Sequence, residues 1–210
     1  MLVAVVKPKC YMANVTRIKP DGELGALLED IESDGVVLDF AFYESVVPQE
    51  YDSHFRAAHD FLDECYKRFK FFHVPPDIVQ YPSLKNFAYK WNPEELIGTR
   101  VLFTEFWGTD YVAPIGDNAS SAERVNGFKT AFFLPPYRLD KTFEHNVVLF
   151  ERLNDRLLGD VQRDELQIYS WSNQCSGYFD DGLQWWGAFL WTIARPDTTV
   201  ITLIGASSTD

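Results

Sequence analysis

Residues 183–208, LQWWGAFLWTIARPDTTVITLIGASS, leave the chain few ways to fold. Between Trp185 and Ala194 both alternating sets are apolar. Trp185, Gly187, Phe189, Trp191 and Ile193 fall on one side of an extended chain, and Trp186, Ala188, Leu190, Thr192 and Ala194 on the other. Neither side can face water at low cost, so the run predicts a strand in the middle of a sheet. Arg195-Pro196-Asp197-Thr198-Thr199 follows with turn chemistry, since proline presets φ and aspartate bonds its own backbone. The β-branched run from Val200 to Ile204 then returns, which predicts an antiparallel hairpin at the sheet centre.

Upstream, the periodicity alternates between helix and strand without regular βαβ order. Leu24, Leu27, Leu28 and Ile31 are spaced for one helix face from Asp21, with Gly35 placed to end it. Val36–Tyr43 alternates as a strand. Pro48, Glu50 and Asp52 open a longer helix to about Lys70, with a predicted inner stripe of Tyr51, Phe55, Ala58, Leu62, Cys65, Tyr66 and Phe69. A third helix starts at Asp140 or Thr142 and ends at Gly159, burying Phe143, Val147, Phe150, Leu153 and Leu157. Two short strands are expected within residues 1–20, and further strands at Phe87–Trp91, Thr99–Trp107, Gly127–Leu134 and Leu166–Trp171. Prolines 75, 76, 82 and 93 break residues 71–98 into a winding connection, with Asn92 capping one helical turn.

These elements predict the α+β class. The expected form is one globular domain over residues 1–210, with a mostly antiparallel central sheet, two main helices packed on one face and the C-terminal hairpin in the sheet centre. A chain of 210 residues that is 46% hydrophobic has enough apolar material for one core, so its net charge of −12 belongs on the surface rather than to disorder. Such a surface repels phosphate backbones and anionic lipid, which argues against nucleic-acid and membrane binding and for a basic protein partner. Cys10, Cys65 and Cys175 are odd in number and form no CxxC, so the pattern of a reduced, cytoplasmic protein is expected. Residues 2–6 are too short an apolar run for a secretory core.

Three constellations carry potential chemistry. His54, His59, Asp60, Asp63 and Glu64 crowd one helix, but histidines five apart diverge by about 140° round a helix, so no metal site is expected. His59 is instead read as a hydrogen-bonded core histidine. Cys175 lies in the polar loop Ser172–Gly182, where a nucleophile is often held, and Asp181 is the carboxylate alternative. Tyr178, Asp180, Asp181 and Trp185 form an acidic-aromatic cluster suited to a partner's arginines, and Asp110 and Asp117 in the long loop 108–126 extend it. P-loop, GxGxxG and EF-hand patterns are missing from the sequence, so no cofactor is expected. The expected function is a non-catalytic acidic binding protein, of inhibitor or immunity type, that neutralises a basic enzyme. The alternative is a small hydrolase or transferase with its site between loops 108–126 and 172–182.

Overall fold

A computed structural model of the chain describes residues 14–69, 89–108, 126–136, 139–183 and 186–207, apart from the side chains of Phe69 and Asp181. One sheet runs through it, made of β1 (Val15–Ile18), β2 (Asp39–Ser45), β3 (Gly98–Arg100), β4 (Gln167–Trp171), β5 (Ala188–Ala194) and β6 (Val200–Ser207). Strand order is β1-β2-β6-β5-β4-β3 and every pairing is antiparallel. The hairpin β5–β6 therefore holds the centre, as the doubly apolar run requires, with Ala194 opposite Ile201. Arg195 clasps the Asp197 carboxylate at 2.9 and 2.5 Å and braces the turn between them.

Helices cover both faces of this sheet, rather than one. The long helix α2 (Tyr51–Phe69) lies on one side. Its Ala57, Ala58, Phe61 and Leu62 pack with Tyr43, Leu190, Ile201 and Leu203. On the other side α1 (Gly22–Ser33), α3 (Phe103–Trp107), α4 (Phe128–Phe133) and α5 (Phe143–Leu158) pack on Phe42, Ile168, Trp191, Ile193 and Ile204. The reason is the period of two in β5: Leu190 and Ala194 point to α2, while Trp191 and Ile193 point the opposite way. Each such fully buried side chain contributes roughly 1.5–3 kcal/mol of transfer free energy. A helix on one face only would leave half of them wet.

Local signals set the helix ends. Asp21 caps α1 by accepting the Leu24 N–H at 2.9 Å, and Thr142 caps α5 through the His145 N–H at 3.3 Å. Asn92 caps the 3-10 turn Pro93–Glu95 as its position predicts. Two expected strands are instead helical. Of the first, only Thr99 and Arg100 pair in the sheet, as part of β3, before α3 begins, and the second is α4. Their aromatic content, which favours strands in isolation, is used for packing: Phe106 stacks on Phe128 at 5.1 Å, and Phe132 meets Phe150 at 4.8 Å. Near Phe87–Trp91, only an isolated bridge from Trp91 to Ser176 is formed among the described residues. The other short strand expected in residues 1–20, Leu2–Val6, lies outside the described residues, whereas Val15–Ile18 forms as β1.

Of the long loop 108–126, residues 109–125 lie outside the described residues. Its two ends meet closely. Gly108 has φ 85, and a Cβ on Gly127 would collide with the backbone of Gly108.

Candidate functional site

The site is built where α1 ends, β2 begins and β6 finishes. Asp34 is the C-cap of α1, and Gly35 at φ 89 turns the chain out of the helix. Residues 36–38 then lead to Asp39, the first residue of β2, which pairs with Gly205 of β6. Between these segments lies a groove of about 520 Å³, lined among others by Leu28, Glu32, Val37, Leu38, Asp39 and Ser207. Asp39 and Ser207 share the α2 face of the sheet with Tyr43 and Leu203, whereas Glu32 belongs to α1 on the opposite side. Ser207 is only 3% exposed, and its Oγ has no hydrogen-bond partner among the described residues.

Asp39 is positioned from behind. The Tyr178 hydroxyl donates to its Oδ2 at 2.7 Å, and this is possible because residue 205 is glycine: a Cβ there would occupy the place of the Tyr178 hydroxyl. Tyr178 comes from the 3-10 turn Gly177–Phe179, which is capped by the Ser176 hydroxyl accepting the Tyr178 N–H at 3.2 Å. Asp39 as a residue is exposed, yet the protein crowding its carboxyl removes hydration and raises its pKa above the usual carboxylate range, against the opposing pull of the Tyr178 bond. Burial likewise holds the Tyr178 phenol well above its ordinary value. The helix end beside the groove is uniformly acidic. Glu29, Asp30 and Glu32 are exposed in the final turns of α1, which has no basic residue in its last turn. Asp34, 1% exposed, has neither carboxylate oxygen partnered among the described residues.

Among the described residues burial raises the pKa of both thiols, Cys65 and Cys175, while Cys10 lies outside them. Cys175 is fully buried and donates to the Ser172 carbonyl at 3.4 Å, and burial raises its pKa. Burial pushes the Cys65 thiol, on α2, up to about 12. This environment is the reverse of what activates a cysteine nucleophile. His54, not His59, is the core histidine: its Nδ1 lies 2.8 Å from Thr192 Oγ1, which also accepts the Trp171 indole N–H at 2.9 Å. Burial lowers the His54 pKa to about 3. His59 is half-buried and sets its ring against Trp91 at 5.4 Å.

The expected acidic-aromatic cluster is divided by the fold. Tyr178 is 6% exposed and points inward to Asp39, so it orients a carboxylate rather than offering a surface ring. Asp180 is exposed at the start of α6 (Asp180–Leu183). Asp110, Asp117 and Trp185 lie outside the described residues, as does the Asp181 side chain. Sequence reasoning passed over Glu32, Asp39 and Ser207. The available signal was the run of acids at the end of α1, where the helix dipole disfavours them. Among the described residues, three or more His, Cys, Asp or Glu side chains nowhere gather in a group that could hold a metal ion. No described helix is long and apolar enough to cross a membrane.

No family model matches the chain, and neither a curated protein nor a solved structure shows significant similarity to it.

Proposed function

We propose that the protein is a non-catalytic acidic binding protein, of inhibitor or immunity type, that neutralises a basic partner enzyme in the cytoplasm. The observation that carries this reading is the end of α1. Glu29, Asp30 and Glu32 are exposed there, and none forms an ion pair among the described residues. Negative charge at a helix C-terminus costs about 0.3–1 kcal/mol per residue at low salt. A basic surface laid against it reverses that sign, and the net charge of −12 speeds the encounter. The reduced state of Cys65 and Cys175 supports a cytoplasmic setting.

The test is capture from native lysate by the tagged protein, compared with a Glu29→Lys/Asp30→Lys/Glu32→Lys variant. The expected result is a stoichiometric basic protein that is released as salt rises and associates more slowly with the variant. Equal association rates for the two proteins, with the same salt dependence, refute this surface.

An enzyme reading moved from loops 108–126 and 172–182 to the start of β2 has one observation in its favour, the Tyr178 hydroxyl held 2.7 Å from an Asp39 carboxyl whose pKa is raised by loss of hydration, which suits a general acid. A turnover that survives the triple lysine variant but vanishes in Asp39→Asn would favour it.

A further inference from the structure

We infer that Asn126 is a self-modifying site. Its side-chain amide is attacked by the Gly127 backbone nitrogen, closes to a succinimide and opens with water to an aspartyl or isoaspartyl residue. The inference is independent of the proposed function.

Asn126 is the one asparagine of the chain that precedes a glycine. Any other following residue sets a Cβ beside the nitrogen that must attack, and glycine sets none. The fold adds three features. Gly127 is the N-cap of α4, so its N–H stands outside the helical ladder, which begins with the Ala131 N–H donating to the Gly127 carbonyl at 2.9 Å. That Gly127 N–H has no acceptor among the described residues, although Gly127 is buried. An unpaired buried donor destabilises the open chain, and ring closure removes the donor without breaking a hydrogen bond. The Thr130 hydroxyl lies 3.3 Å from Asn126 Oδ1 and 3.0 Å from the Gly127 carbonyl, and divides its one proton between them. Donation to Oδ1 stabilises the negative charge that gathers there as the nitrogen attacks. Asn126 itself is exposed, so water reaches its amide and ammonia leaves freely.

In the first step the Gly127 nitrogen gives its proton to hydroxide and bonds to Asn126 Cγ. The Cγ–Nδ2 bond breaks, and Nδ2 departs as ammonia with a proton from water, which regenerates hydroxide. Water then adds to one of the two imide carbonyls and breaks its bond to nitrogen. Opening at the side-chain carbonyl gives aspartate, and opening at the main-chain carbonyl gives isoaspartate. Either product sets a carboxylate beside Gly108, whose backbone a Cβ on Gly127 would meet at 2.5 Å. Isoaspartate also lengthens the backbone by one atom at that contact, just before the fully buried Phe128, and so loosens α4 the more.

The test is incubation of the folded full-length protein at neutral and mildly alkaline pH. Samples taken over time are digested with pepsin in acid, which halts the reaction, and the peptides are read by mass spectrometry. A parallel incubation in urea gives the rate for the unfolded chain. The peptide containing Asn126 should lose the mass of ammonia and then gain that of water, faster at the higher pH and on the same timescale as in urea. An Asn126 that stays intact while the protein is folded and reacts only in urea overturns the inference. Asn126→Gln alters an exposed side chain and must close a larger ring, so it should keep the folded spectrum and abolish the mass change. Persistence of the change in that variant assigns it to another residue and overturns the inference as well. Thr130→Val should slow the folded reaction and leave the rate in urea unchanged, and Thr130→Ser should restore it. A valine variant that reacts in the folded state as fast as the parent removes the hydroxyl from the mechanism.

Discussion

Tyr178→Phe removes one oxygen from the centre of the site and nothing else. The lost bond, 2.7 Å from the Tyr178 hydroxyl to Asp39 Oδ2, joins a fully desolvated phenol to a carboxylate. Hydrogen bonds to charged groups contribute about 1.5–3 kcal/mol, and exposure of the Asp39 residue as a whole places this one nearer roughly 1–2 kcal/mol at neutral pH. The cost must depend on pH. Loss of hydration gives Asp39 a folded-state pKa above its unfolded value, so its contribution favours folding below the unfolded pKa, about 3.9, and is lost as pH rises through the folded one. Removing the phenol withdraws the interaction that stabilises the ionised form, which raises that pKa further and extends the window of loss upward. Urea unfolding of both proteins at intervals from pH 3.5 to 7.5 reads the effect. The difference between them should be largest at neutral pH and should narrow in acid, where Asp39 is protonated in both. A difference that does not vary with pH, or a variant as stable as the parent at pH 7, would show that the bond does not hold a carboxylate.

His54, with a folded pKa near 3, gives a dependence of the opposite sign. Its neutral form stabilises the fold fully above about pH 6.5 and the benefit falls by up to about 1.4 kcal/mol per pH unit as acid protonates the unfolded state; His54→Asn should flatten the acid limb of the stability profile over that range. Gly127→Ala should cost more than about 2 kcal/mol in thermal or urea unfolding, because its Cβ meets the Gly108 backbone, which cannot rotate away. Asp34→Asn should raise stability by about 1 kcal/mol at neutral pH, since it removes a buried carboxylate that has no donor among the described residues; a lower melting temperature would reveal a partner for that charge. Cys65 and Cys175 should resist iodoacetamide at pH 8 while the protein is folded and react at the rate of free thiols in urea, as read by mass spectrometry.

The elements that were legible in the sequence are those whose own residues demand one environment. A strand apolar on both faces can only be central, and β5 and β6 are. Helices α1 and α5 form where the Asp21 and Thr142 caps place them, and Phe150, Leu153 and Leu157 of α5 are buried as expected, whereas Phe143 in its first turn is exposed and Val147 half-buried. The inner stripe of α2 was harder to read. Ala58 and Leu62 are buried as expected, but so are His54, Ala57 and Phe61, while Tyr51, Phe55 and Cys65 lie at the margin. The true face is therefore rotated toward the residues that meet Leu190 and Leu203. For α3 and α4, Phe106 and Phe128 fit a strand or a helix equally well, and the choice falls to the aromatic stack they share. Even so, the both-faced apolarity of β5 already implied helices on two sides, which the expectation of a one-sided arrangement did not follow through.

The candidate site was less legible, because its parts are far apart in the chain. Glu32, Asp39, Tyr178, Gly205 and Ser207 come from one helix, two strands and a 3-10 turn. No local pattern links Tyr178 to Asp39, which are 139 residues apart. By itself the sequence determined the acidic balance, the helix caps and the buried central hairpin, since each depends on neighbouring residues or on composition. Only the tertiary structure decided which aspartate loses its water, which serine hydroxyl is left without a partner and which thiols are silenced, because hydration is a property of what the rest of the chain packs around a group.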